Sequence, residues 1–495
     1  MKKIQLTLLL AFLATLALQL TGCGSADVES AKLYRQQREY NRANTMLEKA
    51  IKEDPTSDEA WYLYAMNLND LKDYEKIAKI IDTAMLYSVT HRAELQQLKR
   101  NTWVELYNGA LGAYNANPDS KETQQAAIGY LKSARELEPN QPETYELLGT
   151  VYYAAGDTAK AIQNYLREID QVSTAYDKGI AMGLMLKLSP NGVQHAIGGA
   201  PANQQTVFLG GSDSALVYVY PNKQAYIYFE RSSKPPYGWQ LTGWRITTDK
   251  AEGMQPIAVS TEAYGLVAND YYQKGLANQA RGNKAAADDE FQKAIPLLMT
   301  LQQIDPSDEF ASQAIPDIYE RLNRIDKAKE QYERILAVHP SKAMYISYGT
   351  LLMKTNDYQG AIAEYQKALT LAPNDKSALF DIAAAYKNRA AAEQKNKNPE
   401  YKTDLQQSTT YFEQLNNLDK SDTKTLMNLV ENYVLLKEGN KVIPLLGDIE
   451  ALKSTPQADT HEYWDLLARA YSFANRPQDA EAAYKKSDEL KQQGK

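Results

Sequence analysis

Residue types that perform chemistry are thinly spread along this chain of 495 residues. The four histidines, His91, His195, His339 and His461, stand far apart with no H-x3-H pair, and the single cysteine, Cys23, can close no internal disulfide. That spacing predicts no metal site. Gly210-Gly211-Ser212-Asp213-Ser214 sets a serine beside glycines without the G-x-S-x-G elbow. Residues 192–199 are glycine-rich but lack the lysine of a phosphate loop, so both stretches read as turn and helix punctuation. No nucleophile, base and orienter come from neighbouring positions. The chain therefore reads as a binder rather than an enzyme, and no cofactor is expected. Tyrosine is the exception, with 35 copies against 8 phenylalanines, enough to fill packing positions and leave rings over for a partner.

The elements that would hold those rings follow from a recurring pattern, A-x3-[YFL]-x2-A, usually followed by proline. Ala43, Leu47, Ala50 and Pro55 open it; Ile77, Ile81 and Ala84 follow; Ala127, Leu131, Ala134 and Pro139 resume it, with Ala161 and Tyr165 beyond. After an interruption come Ala287, Phe291 and Ala294, then Ala328, Tyr332 and Ile335, then Ala361, Tyr365 and Ala368, and finally Ala480 with Tyr484. The first helices of these units, best formed over residues 61–68, 145–152 and 345–352, carry a matching aromatic, small, aromatic spacing. Two short amphipathic helices cross closely only where glycine or alanine sits at the contact, and the aromatic fills the gap toward the next unit. The period of about 34 residues resembles the tetratricopeptide repeat, which implies a solenoid of stacked helix pairs, roughly nine or ten here, with a concave groove for a protein partner.

That resemblance also implies which residues face the groove, namely the second, fifth, ninth and twelfth of each first helix. Here they are Tyr62, Met66 and Asn69, then Glu143, Glu146, Thr150 and Tyr153. Tyr152, Tyr165, Tyr332, Tyr365, Tyr471 and Tyr484 fall instead at packing positions. Residues 390–402 add polar sequence inside one unit, either a longer helix pair or a solvated loop.

At the amino end Lys2 and Lys3 precede an apolar run over residues 6–18, too short for a confident membrane span, which ends in Leu20-Thr21-Gly22-Cys23. The tetrapeptide resembles the lipobox of bacterial lipoproteins. The resemblance implies cleavage before Cys23, acylation of that cysteine, and, from Gly24 at the next position, an outer-membrane address. Removing residues 1–22 takes away two lysines and no acid, so the net charge goes from −7 to −9. An acidic chain without a basic block is a poor nucleic-acid binder.

Between about 175 and 259 the helical period fails. Residues 177–188 read as a short helix, Ser189-Pro190 as the start of a second, and Gly198-Gly199-Ala200-Pro201 as its exit. Residues 215–220, 225–229 and 238–246 read as a three-stranded antiparallel sheet, offering Tyr218, Tyr220, Trp239 and Trp244 as surface rings. The order, with L-S-x3-V-x3-I-G and a nearby proline, resembles the SmpA/OmlA family of small outer-membrane lipoproteins, accessory subunits of the β-barrel assembly machinery. An extra glycine before the proline departs from that family's pattern. The resemblance implies a second interaction module.

The sequence thus predicts a mainly α protein: a tetratricopeptide-type solenoid interrupted by a small α+β insert. Its segments are a lipoprotein signal peptide (1–22), amino-terminal repeats (23–172), the insert (173–259) and carboxyl-terminal repeats (260–495). The expected function is a protein-interaction scaffold anchored in the outer membrane by lipid, facing the periplasm, with other envelope proteins as partners in assembly or secretion. Recognition of peptidoglycan or polysaccharide by the insert's rings is the first rival. A hydrolase with a nonlocal site in the insert, favoured by a pocket that joins His195 to an acidic residue and a serine, is the second.

Overall fold

Serine and aspartate recur one residue before the helical runs, and in the computed structural model their side chains accept from first-turn amides. Ser57 accepts from Ala60, Asp73 from Lys76, Asp157 from Lys160, Ser341 from Met344 and Asp375 from Ala378. The structure describes residues 26–210, 213–232, 238–246 and 261–493. The expected signal segment and Cys23 lie outside these residues. The chain divides between Pro306 and Ser307 into two compact units.

Unit 1 contains α1 (Ala26–Gln36), α2 (Tyr40–Glu53), α3 (Asp58–Asp70), α4 (Tyr74–Tyr87), α5 (Arg92–Ala116), α6 (Lys121–Leu137), α7 (Pro142–Ala154) and α8 (Thr158–Ala181). These are followed by α9 (Pro190–Ile197), strands β1 (Asn203–Gly210), β2 (Asp213–Tyr220), β3 (Ala225–Ser232) and β4 (Gly238–Ile246), and then α10 (Thr261–Ala280) and α11 (Lys284–Ile304). Unit 2 contains α12 (Glu309–Arg321), α13 (Ile325–Val338), α14 (Lys342–Lys354), α15 (Tyr358–Leu371), α16 (Lys376–Lys395), α17 (Tyr401–Leu418) and α18 (Thr423–Leu435). A 3-10 stretch (Gly439–Leu445) leads into α19 (Leu446–Ala451), and α20 (His461–Phe473) and α21 (Pro477–Gln492) complete the described residues.

The turns inside the pairs share one device. Arg38, Lys72, Gly156, Gly282, Asn323, Asn356, Lys397, Lys437 and Asn475 each take a left-handed φ between a first and a second helix. The next residue's amide then reaches back to the preceding helix, as in Asp73 to Leu68, Asp157 to Tyr152, Asp357 to Leu352 and Arg476 to Tyr471. This is the closure that reverses a helix while satisfying its last carbonyls. Residues 390–402 resolve the same way: α16 and α17 are long, and Lys397 makes the turn between them.

Close crossings within a pair depend on glycine. A Cβ placed on Gly149 would lie 2.5 Å from the Tyr165 ring, on Gly275 2.4 Å from Phe291, and on Gly349 2.6 Å from Tyr365. The partner lies 16 positions along in each case, so the aromatic of the second helix rests on the bare backbone of the first. Tyr165, Tyr332, Tyr365 and Tyr471 are buried, as their packing positions require, whereas Tyr484 on α21 is exposed. No later helix among the described residues covers it.

The sheet is an antiparallel meander in the order β1-β2-β3-β4, with four strands where the sequence suggested three. The overlooked strand, β1, pairs only with β2. Its opening Asn203-Gln204-Gln205-Thr206 is polar, as an edge strand tends to be, and so carries no apolar alternation to read. The expected helix over 177–188 is likewise absent as a separate element, because α8 continues through Gln171 and Asp177 to Ala181. Beyond it, Lys187 adopts a left-handed φ of 67°. The Leu186 amide donates to the Ile304 carbonyl, the Lys187 amide donates to the Leu241 carbonyl, and the Leu241 amide donates to the Leu188 carbonyl. The outer edge of β4 is therefore covered by the chain itself. Lys187 Nζ adds a 2.7 Å contact to Asp305.

Register fixes the sheet's buried face. Phe229 is paired with Leu241 and Ile227 with Trp244, so β4 carries one extra residue opposite β3. Leu241 and Trp244 are three apart and would point to opposite faces of a regular strand. The bulge brings both to the face that holds Ile227 and Phe229. Trp244 then packs against α8, where a Cβ on Gly179 would come within 1.9 Å of its ring nitrogen.

Candidate functional site

The sequence-derived groove residues fall into two places within unit 1. Tyr62 stacks on His91 with ring centroids 4.0 Å apart, Met66 packs on the apolar cluster of α1 to α6, and Asn69 is half-buried on the same helix. Their rings and side chains are largely engaged in local packing. Glu143, Glu146 and Thr150 instead line up on α7 beside α8, with Tyr153 half-exposed at 52 % at the end of the row. The Thr150 hydroxyl lies 3.1 Å from the Glu146 carbonyl, to which it donates, and 3.2 Å from the Tyr165 hydroxyl. Thr350 and Tyr365 repeat that contact in unit 2, so Thr150 serves the helix crossing first.

What the groove rule missed is Glu168. It closes the pattern Ala161-x3-Tyr165-x2-Glu168, where the equivalent unit of α15 reads Ala361-x3-Tyr365-x2-Ala368. The position is a tight one: Ala368 is fully buried and Glu168 is 2 % exposed. One carboxylate oxygen, Oε2, has no hydrogen-bond partner among the described residues. A carboxylate taken out of water and left unpaired is costly, and protonation relieves that cost. Burial, then the like charges of Glu146, Glu143 and Glu262, push the Glu168 carboxyl up to about 10. Glu168 is therefore neutral at physiological pH.

The same field reaches the rings around it. Burial first, and then Glu146, Glu143 and Glu168, raise the Tyr107 hydroxyl. Burial with Asp177 and Glu168 raises Tyr264, and burial with Glu262, Glu168 and Glu146 outweighs the opposing Thr150 contact to raise Tyr165. Carboxylates from α7 and α10 thus bear on Glu168 of α8, and tyrosines from α5, α8 and α10 feel the same charges. A sign of it was legible, since a glutamate broke the small-residue pattern, but only the burial of that glutamate makes it a site.

Three of the four rings assigned to the insert's surface are buried instead. Tyr218, Tyr220 and Trp244 are buried on the covered face of the sheet, where Tyr218 meets Phe229 edge-on at 4.9 Å and accepts from Gln194 at 3.3 Å. Tyr220 donates to the Gly199 carbonyl. Trp239 is half-buried beneath the Arg231 guanidinium, 5.1 Å from its ring. The reason is register: residues 216, 218 and 220 pair with 229, 227 and 225, which places all of them on the face that also holds Trp244. His195 is exposed on α9 and makes no hydrogen bond or ion pair among the described residues. Unit 2 holds a cavity of about 700 Å³ lined by Phe380, Asp381, Leu415, Asp419 and Lys424 among others. Burial raises the Asp381 carboxyl there, and Asp375 adds to the shift.

Two tetratricopeptide-repeat family models match the chain, one over residues 28–79, 125–176 and 317–376, the other over 461–493. No curated protein matches it. Solved structures similar to it include PilF of Pseudomonas aeruginosa, at 18 % identity over 45 % of this chain and 90 % of that one, with a TM-score of 0.31. Another is MamA of Desulfovibrio magneticus RS-1, at 17 % identity over 38 % of this chain and 97 % of that one, TM-score 0.29. YrrB, described as a TPR protein with an unusual peptide-binding site, is 16 % identical over 46 % of this chain and 100 % of that one, TM-score 0.28. These distant likenesses reach no further than helix-pair structure. The matched segments coincide with paired helices of the fold, and helix pairs of the tetratricopeptide type occur in both compact units.

Proposed function

We propose that this protein is a bacterial outer-membrane lipoprotein, anchored through Cys23 and facing the periplasm, whose repeats hold other envelope proteins together during assembly or secretion. The observation that carries the scaffold reading is the face of α7 in unit 1. There Glu146, Thr150 and Tyr153 follow one another at helical spacing, and the last is a large aromatic more than half exposed. Such a ring binds at little entropic cost. The anchor rests on the lipobox-like residues 20–23 and the basic, apolar segment before them. The inward-facing Tyr218, Tyr220 and Trp244 favour a structural role for the insert's rings over the stacking platform that a glycan would need.

A photo-crosslinking amino acid in place of Tyr153, activated in intact cells, should capture defined protein adducts. Adducts to glycan alone, or none above those of a control position, would overturn the scaffold reading. For the anchor, Cys23→Ala should leave the protein uncleaved or soluble. A variant still processed and still sedimenting with outer membranes would remove the anchor from the proposal.

A further inference from the structure

We propose that the cavity of unit 2 receives a short segment of a partner protein carrying one basic side chain, arginine or lysine, whose head meets Asp381 and whose stem lies on Phe380 and Leu415. The inference rests on the scaffold reading and names the chemistry of one contact. The cavity measures about 700 Å³ and is lined by Lys376, Ser377, Phe380 and Asp381 of α16, by Leu415 near the end of α17, and by residues 419 and 421–424 leading into α18. That volume is of the size that ligand pockets have, and more than one side chain fills. Nothing in the repeat asks for an acid at 381. Leu147 stands two positions before the crossing residue Gly149, and Ser347 two before Gly349; Asp381 takes the same place before the fully buried Ala383.

Pairing within the wall singles out Asp381. Lys376 Nζ lies 2.9 Å from Asp419, which also accepts from the Ser421 hydroxyl at 2.7 Å. Asp422 caps α18 by accepting from the amides of Lys424 and Thr425. Two lining charges are left with no hydrogen bond or ion pair among the described residues, the Asp381 carboxyl and the Lys424 ammonium. Lys424 is exposed, so water serves it as it serves any surface lysine. Asp381 is half-buried, and burial, with Asp375 adding to it, holds its carboxyl above the usual carboxylate range. The unmet charge in the cavity is therefore negative, and the ligand that meets it is a cation. Among the described residues no three acids converge to hold a metal ion, so the cation is organic. Apolar wall on either side suits the stem of arginine or lysine. The Phe380 ring is held for that contact edge-on to Phe412, with centroids 5.6 Å apart.

Calorimetric titration of the full chain without residues 1–22 tests this with acetyl-Leu-Arg-Leu-amide and two counterparts, one carrying citrulline, a neutral isostere, and one carrying glutamate. The arginine peptide should bind one to one and about 10-fold or more tightly than either counterpart. Asp381→Asn should bring arginine to within about 3-fold of citrulline, because the charge-assisted contact is gone. Asp381→Ser, which installs the residue that α14 carries at this place, should do the same, and neither variant should lower the melting temperature. Glu481→Gln, at an exposed acid of α21, should change nothing. Equal binding of arginine and citrulline, an arginine preference that survives both Asp381 variants, or no binding by the folded chain would each overturn the proposal. Tighter binding of the glutamate peptide would overturn it by assigning the cavity to anions through Lys424. Free argininamide bound as tightly as the peptide would overturn it by making the ligand a small cation rather than a protein segment. Crosslinks from position 153 belong to unit 1 and would stand regardless, so failure here is separable from failure of the scaffold reading.

Discussion

At the scale of single residues, Glu168 gives the unliganded protein a measurable signature. Its folded pKa is raised to about 10 from an ordinary 4.5. The native state therefore binds a proton that the unfolded chain releases throughout that window. Stability from this group is complete below the ordinary value and is lost as pH rises, with a slope on the order of 1 kcal/mol per pH unit. Glu143 and Glu146 on α7, Tyr165 and Asp177 on α8, Glu262 and Tyr264 on α10 and Tyr107 on α5 share the neighbourhood. Comparison with Glu168→Gln isolates the one titration from theirs. Denaturant midpoints at pH 5 and pH 8 should move further apart in the natural protein than in the variant. Parallel slopes would show that the Glu168 carboxyl is ionised in the fold.

At the scale of elements, a repeat unit is a crossing of two helices whose separation one residue sets. Gly349 touches the Tyr365 ring so closely that any larger side chain must push α14 from α15. Gly349→Leu should cost about 1–3 kcal/mol by overpacking. Gly129 is exposed on α6, with open space where a Cβ would stand. Gly129→Ala should therefore be neutral or stabilise by about 0.5–1 kcal/mol, the ordinary helix-interior difference. Thermal melts of the two variants check both; a Gly349→Leu protein as stable as its parent would mean that the helices do not cross as described. The insert obeys the same rule at a different junction, since Gly179 admits Trp244 as Gly149 admits Tyr165.

At the scale of the molecule, unit 1 joins repeats and insert into one body. The turn after α8 bonds both to Leu241 of β4 and to Ile304 at the end of α11, and Lys187 reaches Asp305. Trp244, 1 % exposed, is the plug between sheet and helix. Trp244→Ala should destabilise unit 1 by about 3–5 kcal/mol. Proteolysis near residues 171–188 should accelerate in step with the lost stability. A variant whose sheet loosens while α8 stays as protected as before would make the insert a separate module tethered to the repeats.

Read alone, the residues determined which chain segments pair. Helix periodicity, capping aspartates and small-residue spacing are local properties, written within some 34 positions. The aromatic runs of 215–220 and 225–229 announced a hairpin for the same reason. Three things needed the folded chain. Strand β1 is polar and takes its order from the neighbour it pairs with. Leu241 and Trp244 share a face only through a bulge that cross-strand register reveals, and this puts Trp244, expected at the surface, in the core. The charge state of Glu168 depends on burial and on carboxylates from α7 and α10, up to 94 positions away. Local pattern sets which helix forms, whereas the environment of a side chain is set by everything packed around it.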